Sequence, residues 1–129
     1  MKFNSITPEF AEALAAIVGR EHALLPDAAE AMQPYTHDET EDLRFEPEVV
    51  LKPANAAEIS LIMKFCHENL IPVTPRGAGT GLSGGALAVQ KGVILSTERL
   101  NKILYIDERN LQATVEPGVI TQVFQEAVI

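Results

Sequence analysis

Five of the eight glycines in this chain fall between Gly77 and Gly85, inside the run RGAGTGLSGG over residues 76–85. Without a Cβ, glycine reaches positive φ and lets another group approach the backbone closely. Successive exposed N–H groups in such a segment form a concavity suited to an anion. Thr80 and Ser83 add hydroxyl donors, and Arg76 adds a cation, expected at the edge of the loop. A tight turn packing backbone on backbone is the plainer use of glycine. Five glycines in nine positions, interleaved with these donors, favour a bound phosphate instead.

Two phosphate motifs compete for this segment. Gly79-Thr80-Gly81-Leu82-Ser83-Gly84 matches G-x-G-x-x-G, and Glu98 lies near the spacing of a ribose-binding acid. That motif must open a crossover helix, which takes about a dozen residues or more. Only eight residues separate Gly84 from the apolar run at Val93, and Gly85 and Gly92 interrupt them. The triphosphate loop needs Lys then Ser or Thr after its last glycine. Gly84 is followed by Gly85 and Ala86, so it fails as well. A glycine turn that leaves a strand without a following helix remains.

The flanking pattern is mixed. Thr7, Pro8 and Glu9 read as a capped helix start, and Gly19 ends the apolar stripe that follows. A short helix is predicted over residues 27–32, ended by Pro34. Residues 37–48 carry six acids and one Arg, a solvated linker that sets a boundary between a helical lead-in, 1–44, and a second unit, 45–129. Val49 to Leu51 reads as a strand, and Asn55 with Glu58 as a helix cap. Ile59, Ile62, Met63, Cys66 and Leu70 form the apolar stripe of that helix, and Ile71 to Thr74 the next strand. Strand, helix, strand implies a parallel βαβ unit. Val93 to Leu95 is a third buried strand. A hairpin is predicted around Asp107 to Asn110, with Leu111, Ala113 and Val115 on the covered face of its second arm. Pro117-Gly118 breaks the chain. Ile120, Val123, Phe124, Ala127 and Val128 share one helical face with no capping signal near Ile129, which predicts a piece of a longer protein.

Composition narrows the function. The net charge is −8, aromatics are 5% and Trp is absent, which argues against nucleic acid as a partner. Cys66 is the only cysteine, so neither an internal disulfide nor a cysteine-based zinc site is expected. His22, His37 and His67 lack metal-ligand spacing, so each reads as a solvated or structural histidine and no metal is expected. Tyr105 is expected in strand packing. No apolar run of about 20 residues suggests a membrane span, and no leader pattern is visible, so a cytoplasmic setting is expected.

The run Pro75 to Gly85 resembles the FAD pyrophosphate loop of the vanillyl-alcohol-oxidase superfamily, whose FAD-binding domain is of the PCMH type, closest to its glycolate oxidase GlcD and D-lactate dehydrogenase branch. Val49 to Pro53, Asn55 to Glu58, Pro72 to Pro75, Val115 to Val119 and the Tyr35-Thr36-His37-Asp38 segment resemble the family in turn. The resemblance implies an α+β fold: N-terminal helices, then the first, mostly parallel part of an FAD-binding domain, incomplete at its C-terminus. It implies that Arg76, Gly77, Ala78, Gly79, Thr80, Gly81, Leu82, Ser83 and Gly84 hold the pyrophosphate of FAD. Pro117 and Gly118 would pass near its flavin side. Covalent members with an Arg-Ser-Gly-Gly-His run carry the flavin on its His; Thr80 stands at that position here, so attachment through this loop is excluded and non-covalent FAD is implied. The parent would oxidise a small 2-hydroxy acid such as glycolate or D-lactate and pass electrons to another acceptor. The family's substrate-binding and catalytic residues lie in later segments, and none is assigned here. A binding module that does not retain FAD, and another branch of the superfamily, remain open. Apolar surface left by an incomplete domain would favour self-association.

Overall fold

The computed structural model describes residues 2–40, 42–81 and 83–129. Helix α1 (Pro8–Val18) starts where Thr7 caps the Phe10 N–H at 3.1 Å and stops at Gly19, whose φ is 91°. A two-residue strand β1 (Ala23–Leu24) follows. The helix predicted over 27–32 is replaced by 3₁₀ turns at Pro26–Ala28 and Gln33–Tyr35, each opening near a proline. Seven residues between Pro26 and Pro34 give too few hydrogen bonds for a stable α-helix.

Strand β2 (Val49–Leu51) leads into helix α2 (Ala56–Glu68). Asn55 accepts the Glu58 N–H at 2.9 Å, the predicted cap. Strands β3 (Val73–Arg76) and β4 (Val93–Ser96) complete a sheet of order β1-β2-β4-β3. β4 runs parallel to both β2 and β3, and β1 is antiparallel to β2. β3 begins two residues later than its sequence predicts. The Ile71 N–H is held by the Cys66 carbonyl at 2.9 Å, closing α2, so ladder pairing starts at Val73.

Both faces of the β2–β4 pair are buried, as parallel strands require. Val49, Leu51, Val93 and Leu95 meet Ala11, Leu14 and Val18 of α1 and Ile62 and Cys66 of α2. The Phe10 and Phe65 rings meet edge-on, 5.6 Å apart, beside this core. On the opposite face Val50 and Ile94 are covered by Met32 and Ala88, from the segments before β2 and after the glycine loop. Residues on both sides of position 45 therefore share one core. Of the predicted α2 stripe, Ile62 and Cys66 are buried and Ile59 packs beside them, but Met63 and Leu70 are 46% exposed. Leu70 has left-handed backbone, φ 54°, and its side chain leaves the helical stripe.

The hairpin β5 (Ile103–Asp107) and β6 (Gln112–Val115) forms its own two-stranded sheet, followed by α3 (Thr121–Val128). Its alternation is regular, yet the covered face predicted for the second arm is not covered: Leu111 is 89% exposed, all four residues of β6 are exposed, and α3 buries none. Tyr105 is exposed too. Alternation marks which residues could be buried and cannot supply the layer that buries them. The turn after the hairpin is tied back where the Gly118 N–H donates to the Leu100 carbonyl at 2.6 Å. A Cβ at Gly118 would collide with the Thr97 and Leu100 carbonyl oxygens. No helix among the described residues is long and apolar enough to cross a membrane.

Two outcomes follow from this packing. Ile62→Ala removes a fully buried side chain at the α1–α2–sheet junction. It is expected to cost about 2–5 kcal/mol of stability, read from urea denaturation. Gly118→Ala is expected to loosen the hairpin, giving faster amide hydrogen exchange over residues 103–118 with unchanged exchange in β2 and β4.

Candidate cofactor site

The glycine loop leaves the C-terminal end of β3, at the sheet edge where ligands of parallel α/β sheets settle. Residues 77–81 and 83–92 contain no helix, so the nicotinamide-type crossover is absent, as the spacing requires. Gly79 and Gly84 both have φ 74°, where a side chain would be strained. Gly77, Ala78, Thr80, Gly81 and Ser83 are exposed. Among the described residues, the N–H groups of 77–81 donate to no protein acceptor. Leu82 lies outside the described residues. A short arc of free donors on glycine-permitted backbone suits a pyrophosphate, so the chain's residues fit that group.

Arg76 departs from its predicted place. It is the last residue of β3 and 7% exposed, with its side chain turned inward rather than standing at the loop edge. Its guanidinium donates to the carbonyls of Pro34 at 2.9 Å, His37 at 2.8 Å and Ala86 at 3.5 Å. It also lies 5.6 Å from the centroid of the Tyr35 ring. Desolvation lowers its pKa, and the Asp38 carboxylate opposes that shift; a guanidinium so placed remains a cation. A Cβ on Gly79 would run into this guanidinium.

Asp38 is also buried. Its carboxylate accepts the Gly84 N–H at 3.2 Å and the Thr40 N–H at 2.8 Å. Tyr35 donates its hydroxyl to Glu98, which also accepts from Ser96 at 2.8 Å and lies 3.7 Å from the Lys52 ammonium. Burial works against the Glu98 charge, but these hydrogen bonds and Lys52 outweigh it and hold the carboxyl below its usual range. Burial pushes the Tyr35 hydroxyl up, and its bond to Glu98 adds to the shift. Burial likewise pushes the Cys66 thiol up to about 11, as expected of a core residue. Among the described residues no cluster of His, Cys, Asp and Glu could hold a metal.

The loop separates two clefts. One, of about 280 Å³, is lined by Gly77, Ala78, Glu98, Asn101, Pro117 and Gly118, with Val119, Ile120 and Val123 at its far wall. The structure thus brings the first part of the loop and the Pro117-Gly118 turn to one cleft. The other, of about 430 Å³, is lined by Gly79 and Thr80 together with Gln33, Pro34, His37, Glu39, Arg44 and Arg76. Ala78 lines both. Glu98, Asn101 and Arg44 were not singled out for this site by sequence. Glu98 was noted only for a ribose spacing that belongs to another fold. The Tyr35–Asp38 spacing was visible, but nothing in it tells that both side chains face the loop.

A family model described as an FAD binding domain matches residues 47–129. The chain is 40% identical over 116 residues to the glycolate oxidase subunit GlcD of Bacillus subtilis, covering 90% of this chain and 24% of that protein. It is 38% identical over 120 residues to a D-lactate dehydrogenase of Anaerostipes hadrus, covering 92% and 25%. The chain therefore spans about a quarter of the length of these relatives. Among solved structures, p-cresol methylhydroxylase with bound substrate superposes with a TM-score of 0.81 at 26% identity, over 96% of this chain and 25% of that one. An alkyldihydroxyacetonephosphate synthase, at 18% identity over 98% of this chain and 27% of that one, shares the fold with a TM-score of 0.78. Matched by the family model along most of its length and by these relatives along nine-tenths of it, the chain belongs to the FAD binding domain family of flavin oxidoreductases.

Proposed function

We propose that residues 77–84 hold the pyrophosphate of non-covalently bound FAD through backbone N–H groups, with the Thr80 and Ser83 hydroxyls assisting. The observation that carries this reading is the run of N–H groups over 77–81 with no protein acceptor among the described residues, set between two clefts at the C-terminal edge of the sheet. On this reading the flavin end of the cofactor lies toward Pro117 and Gly118, and the adenine end toward His37 and Arg44. In this arrangement Leu82 would contribute its backbone, and Arg76 would act from beneath the loop. Residues 1–44 serve as the lead-in and 45–129 as the front of the FAD-binding domain.

The similarity to GlcD and to D-lactate dehydrogenase supports a parent that oxidises a small 2-hydroxy acid; electrons leaving to a separate acceptor and a cytoplasmic setting belong to the same proposal. Bound FAD would supply the hydride acceptor; the chain's own residues bind and orient it. Thr80 has no nitrogen nucleophile to attach a flavin, which agrees with non-covalent binding.

A second reading has one observation in its favour. Ile120 and Val123, which line the flavin-side cleft, are exposed, so that wall of the site is open. Under this reading the chain folds but does not retain FAD, and its apolar hairpin and helix favour self-association.

The visible spectrum of the purified protein separates the two. Flavin bands, or a rise in the unfolding midpoint on adding FAD, are expected under the first reading. FAD at 100 times its Kd should add about 2.7 kcal/mol. A colourless protein indifferent to added FAD would support the second. Gly79→Val places a branched side chain at φ 74° and against Arg76. It is expected to weaken FAD binding about tenfold or more in a fluorescence titration; an unchanged Kd would sink the loop assignment.

A further inference from the structure

We propose that residues 34–40 form a strap that fixes the shape of the glycine loop before any ligand binds, with Arg76 and Asp38 as its positioning residues. This rests on the reading that the loop holds the FAD pyrophosphate.

The strap crosses the loop and grips it at three levels. At the loop's entry, Arg76 donates to the Pro34 and His37 carbonyls of the strap. At its middle, the Glu39 N–H donates to the Gly81 carbonyl at 3.0 Å. Near its exit, Asp38 accepts the Gly84 N–H at 3.2 Å. The strap is itself stiffened, because the second Asp38 oxygen takes the Thr40 N–H in a local turn. The strap is in turn anchored to the end of β4 by the Tyr35 hydroxyl on Glu98.

The economy of these contacts shows what they are for. Among the described residues they engage carbonyls and one loop N–H, that of Gly84, and leave the N–H groups of 77–81 without a protein acceptor. A glycine-rich segment left to itself samples many backbone states and would lose that freedom on binding. Holding it beforehand removes the ordering cost from the binding step. Arg76 belongs to this device rather than to the anion. Its guanidinium is buried under the loop and committed to carbonyl oxygens.

Hydrogen exchange and FAD release test the strap together. Asp38→Asn keeps the side chain's size but removes one of its two acceptor oxygens. Arg76→Lys keeps the charge but loses the planar fork. In either variant without FAD, amides of 77–85 are expected to exchange at least tenfold faster, while those of β2 and β4 are unchanged. FAD should dissociate about tenfold faster, since such changes act mainly on the off-rate. A purely structural role would instead speed exchange across β2 and β4 in parallel with a lowered unfolding midpoint. Should one variant fail to fold, the other carries the same test. If both exchange and release FAD at the unmodified rates while FAD protects 77–84 in the unmodified protein, the strap is refuted and the loop assignment stands. If FAD gives no protection at 77–84 in the unmodified protein, the loop assignment falls, and the strap's role in binding with it.

Discussion

A buried guanidinium organises this end of the molecule. An ionised group out of water is costly unless its hydrogen-bonding capacity is met. Arg76 meets it with carbonyls from three places in the chain: Pro34, His37 and Ala86. The Tyr35 ring covers one face of the group, and a cation–π contact of this kind contributes about 0.5–2 kcal/mol. Segments that are distant in sequence are thereby fixed against the end of one strand. The loop inherits its position from that junction, and Gly79 must be glycine there because the guanidinium occupies the space of its Cβ.

The rest of the sheet makes the junction possible. β2 and β4 are buried on both faces, so the strand ends beside β3 are held rigidly. α1 and α2 cover one face, while the 3₁₀ segment and the tail of the glycine loop cover the other. The second layer is thin and carries the strap. The part of the chain before position 45 thus packs a helix on one side of the sheet and bonds to the glycine loop and Arg76 on the other.

Much of this was legible in the residues. The caps at Thr7 and Asn55, the stop at Gly19, the buried run at Val93 and the helix-free glycine loop follow from local chemistry, which the chain carries in a few adjacent residues. The inward turn of Arg76 was not legible, because it depends on β3 running two residues further than its apolar run indicates. The start of β3 depends on how the end of α2 consumes the Ile71 N–H. Likewise the exposure of Leu111 and Val115 could not be read from their alternation. Period-two patterning states which face is apolar, and burial needs a second layer that those residues do not encode. The link of Tyr35 and Asp38 to the loop joins positions more than forty apart, and only the fold brings them together.

Ala78 lines both clefts, so one residue of the loop borders both spaces. The glycine loop is thus a threshold as much as a cradle. A long, bent molecule can lie over it with one end in each space, whereas two small ones would sit apart. A bulkier residue at position 78 would intrude on both spaces at once.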